Sequence, residues 1–278
     1  MYKLISDSSC DIAKDRAKEL KIDYVPFKIT IEGHEFIDDD QLDLDEFLTA
    51  MEKTPHPIKT ACPSPYDYLS VIEEHIEKEI YIITISSKLS GSYNSANTAK
   101  MQALEKYPKA RIKIIDSKSA ASGQTKIALE ALEILEKNLS FEDSCDALDQ
   151  AVERMNTFFV LDNMQNLIKN GRIKKTTGLI ADVLHIRPIM RGLNGEIQLY
   201  EMNRGTKRAL NSLAKTMGEV CDNLEDRLVC ISHVNALERA EKFAEKIQKL
   251  YHPKRIVITQ SNGLSSGYAD IGGIVLAF

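Results

Sequence analysis

Small hydroxyl residues cluster where one predicted strand gives way to a helix. Residues 84–99 read TISSKLSGSYNSANTA: an apolar strand ends, the chain turns through Ser86 to Gly91, and a helix rich in small residues follows. Unpaired N–H groups at a helix start attract anions, Gly91 allows close backbone approach, and Ser90 and Ser92 add hydroxyl donors. The pattern predicts a binding site for an acidic group, in which hydrogen-bond donors and no charged side chain hold the ligand. The alternative is that Ser90 simply caps the helix.

A second loop that opens a helix lies at residues 60–69, which read TACPSPYDYL. Ser64 as N-cap, Pro65 in the first turn and Asp67 are explained by helix capping alone. Thr60 is not needed for that capping, so its hydroxyl is free to face a pocket. The alternative is that Thr60 is an ordinary loop residue.

No catalytic motif accompanies these loops. The six histidines are scattered without metal-ligand spacing, and the acidic run at residues 38–45 lacks the glycine and closing Glu of a calcium loop, so we interpret it as a solvated helix start. The opening SDSS resembles an aspartyl phosphatase start, but Ser9 stands where the second acid is required. Missing motifs do not exclude an enzyme, but they leave no residue to name as a catalyst, and we predict no metal and no cofactor. The interpretation that we favour is a binding protein rather than an enzyme.

Strand and helix patterns alternate along the chain, which predicts an α/β fold with largely parallel sheets covered by helices. A hairpin turn is predicted around Gly33–His34, and residues 162–204 read as helix, turn, helix and hairpin. The regular alternation of strand and helix patterns ends near residue 156, so we predict two lobes, residues 1–155 and residues 156–278. The strongest strand patterns lie at residues 3–8, 79–86, 111–117, 156–162, 226–234 and 255–261.

Composition narrows the class of protein. Hydrophobic residues make up 43% and charged residues 28% of the 278 residues, enough for a real core in a soluble chain. The net charge of −5 gives no electrostatic footprint for nucleic acid or an anionic membrane. No window predicts a signal peptide or a membrane span, and five scattered cysteines favour reduced thiols in the cytoplasm.

Several short segments, taken together and in order, resemble the DegV family of bacterial fatty-acid-binding proteins. The resemblance covers essentially the whole chain and rests on YKLISDSSCDI, TACPSP, ISSKLSGSYNSA, IIDSKSAASG, LIKNGRI, HIRPIM and GEIQLYEMNRGTKRAL. It implies two α/β lobes with an apolar tunnel for a long-chain fatty acid, whose carboxyl end lies near the two loops described above.

The resemblance also implies roles for individual residues. Thr60 and Ser92 match the family's head-group ligands, and Ser90 and Gly91 belong to the same loop. The family includes the binding subunits of bacterial fatty-acid kinases, in which a separate kinase phosphorylates the bound acid. Arg172 and Arg204 match the basic residues that meet this partner.

One departure from the family lies near the C-terminus. Family members often carry His-x-Gly-Pro-Gly before the last apolar strand, with the His close to the head group. This chain reads YADIGGIVLAF there, so Tyr268 takes the place of the His and the Pro is absent. The departure changes the head-group network that the resemblance implies, and with it any part in phosphoryl transfer.

Two functions remain after the sequence analysis. The first is a cytoplasmic binding protein that holds a long-chain fatty acid and presents its carboxyl group to a fatty-acid kinase. The alternative is a hydrolase or transferase acting on a small acyl or phosphate compound with Ser92 as nucleophile. Such a Ser needs a base within hydrogen-bond reach, and the sequence offers none.

Overall fold

A computed structural model describes residues 1–173 and 186–278. The second helix expected between residues 162 and 204 falls on residues 174–185, outside the described residues. Strands and helices alternate through the first half of the chain in this order: β1 Tyr2–Asp7, α1 Lys14–Glu19, β2 Ile22–Val25, β3 Lys28–Ile31, β4 His34–Ile37, α2 Leu44–Lys53, β5 Lys59–Ala61, α3 Pro65–Glu74, β6 Glu79–Thr84, α4 Ser92–Lys106, β7 Arg111–Asp116, α5 Ser122–Leu135 and α6 Phe141–Glu153.

Four of these strands form a parallel sheet in the order β2-β1-β6-β7, as the buried apolar runs predict. Alternate residues of each strand face opposite sides, so Ile82 packs with α3 and α4 while Tyr81 packs with α5 and α6. Ser64 and Asp67 form the expected capping box at the start of α3. The expectation of a parallel sheet covered by helices is confirmed for this part of the chain.

A small antiparallel sheet in the order β4-β3-β5 lies beside the parallel sheet. Ile31 pairs with His34, so the hairpin turn is Glu32–Gly33, one residue before the predicted position. Both turn residues have positive φ angles, 47° and 85°, as a two-residue hairpin that follows the strand twist requires. The short strand β5 carries Thr60 and was not predicted.

The second half contains β8 Thr157–Val160, α7 Gln165–Lys169, β9 Ile186–Leu193, β10 Glu196–Arg204, α8 Thr206–Val220, a 3-10 turn Leu224–Asp226, β11 Leu228–His233, α9 Leu237–Tyr251, β12 Arg255–Gln260, α10 Gly263–Ala269 and β13 Ile274–Ala277. Its six strands form one sheet in the order β10-β9-β8-β13-β11-β12. Helices α8 and α9 pack on one face of this sheet.

The prediction of largely parallel sheets is wrong for this second sheet. Among its described strands only β11 and β12 pair in parallel, and every other pairing is antiparallel. The two-residue connection from β9 to β10 forces a hairpin, and β13 runs back between β8 and β11. Apolar periodicity reports burial but not strand direction, so the sequence could not reveal this arrangement.

Helix α5 packs against strands of both sheets, and its residues from Ser122 to Ala128 are all buried. A further apolar cluster joins residues of both halves, among them Phe27, Ile85, Phe159 and Val275. This cluster surrounds the cavity described below. The division of the chain at residue 156 remains a proposal.

Candidate functional site

Asp7 fixes both ends of the loop that contains Ser90. Strands β1 and β6 are parallel neighbours, so Asp7 at the end of β1 lies beside the residues that follow β6. Its Oδ2 accepts hydrogen bonds from the Ile85 backbone N–H at 2.9 Å and from Ser92 Oγ at 2.7 Å. Gln124 Nε2 donates to Oδ1 at 2.8 Å. Burial raises the pKa of Asp7, and the bonds from Ser92 and Gln124 act in the opposite direction.

Ser92 is fully buried in this network and is not among the residues that line the cavity. Besides donating to Asp7, its hydroxyl lies 2.7 Å from Tyr68 Oη. The Ser92 hydroxyl therefore holds the loop, and its role as a head-group ligand stays a prediction. The geometry also leaves the nucleophile hypothesis without support. Asp7 lies within hydrogen-bond reach of Ser92 Oγ, but the Ser92 side chain is fully buried and does not line the cavity, so a substrate there would not reach it.

Ser90 and Gly91 differ in their relation to the cavity. Ser90 lines it and accepts a 3.3 Å hydrogen bond from the Ser92 backbone N–H. Gly91 is exposed and does not line it. A Cβ on Gly91 would come within 3.3 Å of Cys62 Sγ, so this glycine allows the two hydroxyl-bearing loops to approach each other.

Thr60 and Tyr268 meet at one end of the cavity. Thr60 Oγ1 and Tyr268 Oη are 2.8 Å apart, and both residues line the cavity. Strand β5 places Thr60, and helix α10 places Tyr268. The structure thus brings together two residues that the sequence analysis singled out for separate reasons.

Arg172 also lines the cavity and reaches the same end. The centre of its guanidinium lies 5.8 Å from the ring centroid of Tyr268. Its Nε donates to the Leu89 carbonyl at 3.1 Å and its Nη1 to the Asn170 carbonyl at 2.6 Å. Among residues 1–173 and 186–278 no carboxylate forms a salt bridge with this guanidinium. Arg172 therefore brings positive charge to this end of the cavity.

Arg204 lies elsewhere. It is exposed at the end of β10, opposite Ile186 in the hairpin, and does not line the cavity. No contact joins it to Arg172 in the described residues. The structure thus separates the two arginines that the sequence analysis grouped together.

The cavity itself is mainly apolar. It contains about 850 Å³ of space not filled by atoms, part of it open to solvent. One wall is a face of the second sheet, because Thr157 and Phe159 alternate along β8 and, together with Leu161 directly after the strand, line the cavity. The remaining aliphatic and aromatic lining includes Phe27, Ile85, Leu89, Leu167, Leu264 and Val275.

Two buried carboxylates, Asp38 and Asp11, anchor helix α10, which carries Tyr268. The sequence analysis gave neither of them a role in the site. Asp38 accepts hydrogen bonds from the Gly263 and Leu264 backbone N–H groups at 2.7 and 2.8 Å, and Asp11 Oδ1 accepts one from Asn262 at 3.0 Å. Burial raises the pKa of Asp38 to about 6 and that of Asp11 to about 7. The interpretation of the acidic run as solvated is wrong for Asp38, which is 4% exposed.

Two searches of the described residues complete the description of the site. No group of three or more His, Cys, Asp or Glu side chains could hold a metal ion. No described helix has both the length and the apolar character needed to cross a membrane.

The fold and the site define a class: an α/β protein with two main sheets, a small third sheet and a mainly apolar cavity, one end of which brings together hydroxyl groups and a guanidinium. Comparison with known proteins agrees with this description. A family model described as "uncharacterised protein, DegV family" matches residues 1–276. The chain belongs to the DegV family, as the ordered sequence motifs predicted.

Relatives and solved structures support the assignment over the full length. A DegV domain-containing protein of Streptococcus pyogenes serotype M18 is 32% identical, covering 100% of this chain and 99% of its own. A DegV family protein from Ruminococcus gnavus, refined with vaccenic acid, is 34% identical with a TM-score of 0.94, covering 100% and 99% of the two chains. The Streptococcus pneumoniae fatty acid kinase (Fak) B3 protein, loaded with linoleic acid, is 30% identical with a TM-score of 0.91 and the same coverage.

Proposed function

We propose that this protein binds one long-chain fatty acid in the apolar cavity and holds its carboxyl group at the mouth. The observation that carries the proposal is the union of Thr60, Ser90, Arg172 and Tyr268 at one end of a cavity with otherwise mainly apolar walls. The fatty acids in the structures of related DegV proteins support it.

The acyl chain supplies most of the binding free energy. Burial of about 14 methylenes at ~0.8 kcal/mol each yields roughly 11 kcal/mol before the costs of ordering the ligand. The head group then needs only to set the orientation of the ligand. A few hydroxyl groups and one guanidinium are sufficient for that task.

For the head group we assign Thr60, Ser90 and Tyr268 as hydroxyl ligands and Arg172 as the charge partner. Ser90 replaces Ser92 in this assignment because Ser90 lines the cavity, whereas the Ser92 hydroxyl is engaged by Asp7 and Tyr68. We likewise assign Arg172 to the head group instead of the predicted partner surface, because Arg172 lines the cavity. Guanidinium and carboxylate are well matched in geometry, and the aromatic face of Tyr268 supports the cation.

We further propose that the bound acid is presented to a separate kinase and that this chain is the non-catalytic member of the pair. The likeness to the fatty acid kinase B3 protein supports this role. Arg204 is then the residue through which the kinase contacts this chain, since it is exposed and outside the cavity. A cytoplasmic location belongs to the proposal, and the five free thiols are compatible with it.

Extraction of the purified protein tests the central proposal. Well-washed protein, denatured and analysed by mass spectrometry, should release a fatty acid of about C14–C20 in roughly equimolar amount, the size that a pocket of this class accepts. Protein that releases no lipid and shows no thermal stabilisation with palmitate or oleate would overturn the proposal.

A further inference from the structure

The turn of the β9–β10 hairpin is packed against another part of the chain. Leu193 pairs with Glu196, which leaves Asn194 and Gly195 as a two-residue turn with φ angles of 50° and 82°. Gly195 is buried and lines the cavity. Turns between strands usually face solvent, so the burial of Gly195 points to a specific contact.

Ser86, in the loop that follows β6, makes this contact. Its Oγ donates a 2.7 Å hydrogen bond to the Gly195 carbonyl and accepts a 3.2 Å bond from the Lys88 backbone N–H. Its carbonyl accepts a bond from the Ser90 N–H at 3.1 Å, and its own N–H donates to the Ser119 carbonyl at 2.8 Å. One residue therefore joins three segments: the loop of Ser90, the segment of Ser119 and the hairpin turn.

The three segments that Ser86 joins all form part of the cavity wall. Ser90, Ser119 and Gly195 line the cavity, whereas Ser86 is fully buried behind them and does not. The first two segments belong to the first half of the chain, and the hairpin belongs to the second half. Ser86 thus fixes the relative positions of wall residues from both halves without facing the cavity itself.

The fit between Ser86 and the hairpin turn is close. A Cβ on Gly195 would lie 2.6 Å from Ser86 Oγ and 3.2 Å from Lys88 Cγ, so even a methyl group there would push the turn away from the loop. Gly33 in the β3–β4 hairpin provides a comparison, because its φ is 85° and a Cβ there would meet no atom within 4 Å. The two glycines have similar φ angles, and the packing against Ser86 distinguishes Gly195.

We propose that Ser86 is a positioning residue for the bound ligand: its side chain holds the hairpin turn against the loop of Ser90. Without the hydroxyl, the buried Gly195 carbonyl loses its donor, and a buried polar group without a partner is costly. The turn and the loop then separate until water reaches this carbonyl, and Ser90 loses its fixed place at the head group. The inference rests on the proposed function and adds to it a residue outside the cavity.

A double-mutant cycle of Ser86→Ala and Gly195→Ala tests the contact by titration of delipidated protein with palmitate. Each single variant should raise the Kd by about five- to twentyfold, and the double variant should bind within about twofold of Ser86→Ala alone. The reason is that the added methyl no longer meets the Ser86 hydroxyl. Gly33→Ala introduces the same backbone strain in the other hairpin and should leave the Kd unchanged.

A second cycle, of Ser86→Ala with Ser90→Ala, separates positioning from a general loss of stability. All titrations are made at a temperature at which circular dichroism shows every variant to be folded, so stability alone does not change the Kd. Ser86→Ala should weaken palmitate binding less in the Ser90→Ala background than in the unaltered protein, because its effect passes through Ser90. Ser144→Ala, which removes a buried hydroxyl from α6 outside the cavity, should leave the Kd unchanged.

A Ser86→Ala variant that binds palmitate as tightly as the unaltered protein would overturn the inference and leave the proposed function intact. Additive effects in either cycle would also overturn it. An unaltered protein that binds no fatty acid would overturn both the inference and the proposed function. Should Ser86→Ala fail to fold, Gly195→Ala and Gly33→Ala decide the matter, and equal Kd values for these two variants would contradict the role of Ser86.

Discussion

Tyr268 and Thr60 share a 2.8 Å hydrogen bond across 208 residues of sequence. The bond joins the small antiparallel sheet to α10, so the mouth of the cavity is built by distant parts of the chain. One O–H group makes the bond, and the hydrogen of the other remains to donate to a carboxylate, since neither hydroxyl has another partner in the described residues. This pair is the best-defined element of the proposed head-group site.

Removal of either hydroxyl should weaken fatty-acid binding. Tyr268→Phe and Thr60→Val should each cost about 0.5–1.5 kcal/mol, the usual worth of a neutral hydrogen bond, which is roughly two- to twelvefold in Kd. Titration with palmitate measures the change. Tyr66→Phe, at a residue that is 74% exposed, is the matched control. Unchanged affinity in both variants would remove this pair from the head-group site.

Ser90 and Ser92 should respond differently to substitution by Ala. Ser90→Ala should weaken ligand binding by about 0.5–1.5 kcal/mol and leave the free energy of unfolding of the ligand-free protein nearly unchanged. Ser92→Ala should lower that free energy by about 1–3 kcal/mol, because buried Asp7 and Tyr68 both lose a partner.

Chemical denaturation of delipidated protein and titration with ligand separate the two effects. Thr98→Ala, at an exposed position of the same helix α4, serves as the control. The opposite result, a stable Ser92→Ala variant with weak ligand binding, would return Ser92 to the head-group site and contradict our assignment of Ser90.

The pKa of Asp11 leads to a pH-dependent stability. Burial raises this pKa to about 7 from an ordinary value near 3.8, so the folded protein holds the proton more tightly than the unfolded chain does. The contribution of Asp11 to stability is therefore fully present below about pH 4 and is lost as the pH rises to about 7. Asp11→Asn should remove this loss, and so raise the unfolding free energy at pH 8, relative to pH 5, by about 1–3 kcal/mol.

Asp38, the second buried carboxylate that anchors α10, provides a comparison for the Asp11→Asn experiment. In the described part of the chain only Oδ1 of Asp11 has a hydrogen-bond partner, so an amide nitrogen fits at the other position. Both oxygens of Asp38 accept backbone N–H groups, so Asp38→Asn should destabilise the protein at pH 5 and at pH 8. Parallel pH profiles for Asp11→Asn and unaltered protein would refute the burial effect.

The sequence was informative where local chemistry determines structure. The sequence predicted the capping box of Ser64 and Asp67 and the buried strand β6, because each depends only on residues that are close in the chain. Thr60 was readable as a candidate because helix capping left its hydroxyl unused. The family resemblance supplied the tunnel, which no local pattern could give.

The remaining features depend on distant segments of the chain. The surroundings of Ser92, whose role as a head-group ligand stays a prediction, are set by Asp7, 85 residues earlier in the chain, which accepts a hydrogen bond from its hydroxyl. Asp38 looks solvated within its acidic run, but α10 covers it from the other end of the chain. The antiparallel position of β13 likewise depends on which strands flank it, and periodicity carries no information about that choice.

Substitutions at Arg172 and Arg204 should have different effects, the first on ligand binding and the second on phosphorylation by the kinase. Arg172→Gln removes a cation from the mouth of the cavity and should weaken palmitate binding by about 1–3 kcal/mol, as expected for a hydrogen bond to a charged group that stays partly solvated. Its affinity for a neutral analogue such as hexadecanol should change much less. Equal losses for the acid and the alcohol would indicate a packing role for Arg172.

Arg204→Glu should leave palmitate affinity within about twofold, because the residue lies outside the cavity. The same variant should abolish phosphorylation of the acid in an assay reconstituted with the fatty-acid kinase of the same cell. Reversing a charge in a contact surface removes an attraction and adds a repulsion, and this slows the association of the two proteins. Arg154→Glu, an exposed charge reversal in the first half of the chain, controls for the change in net charge and should support full turnover. Full turnover with Arg204→Glu would place the kinase contact elsewhere on the surface. An unaltered protein that binds palmitate but supports no phosphorylation would indicate that the acid is delivered to a different acceptor.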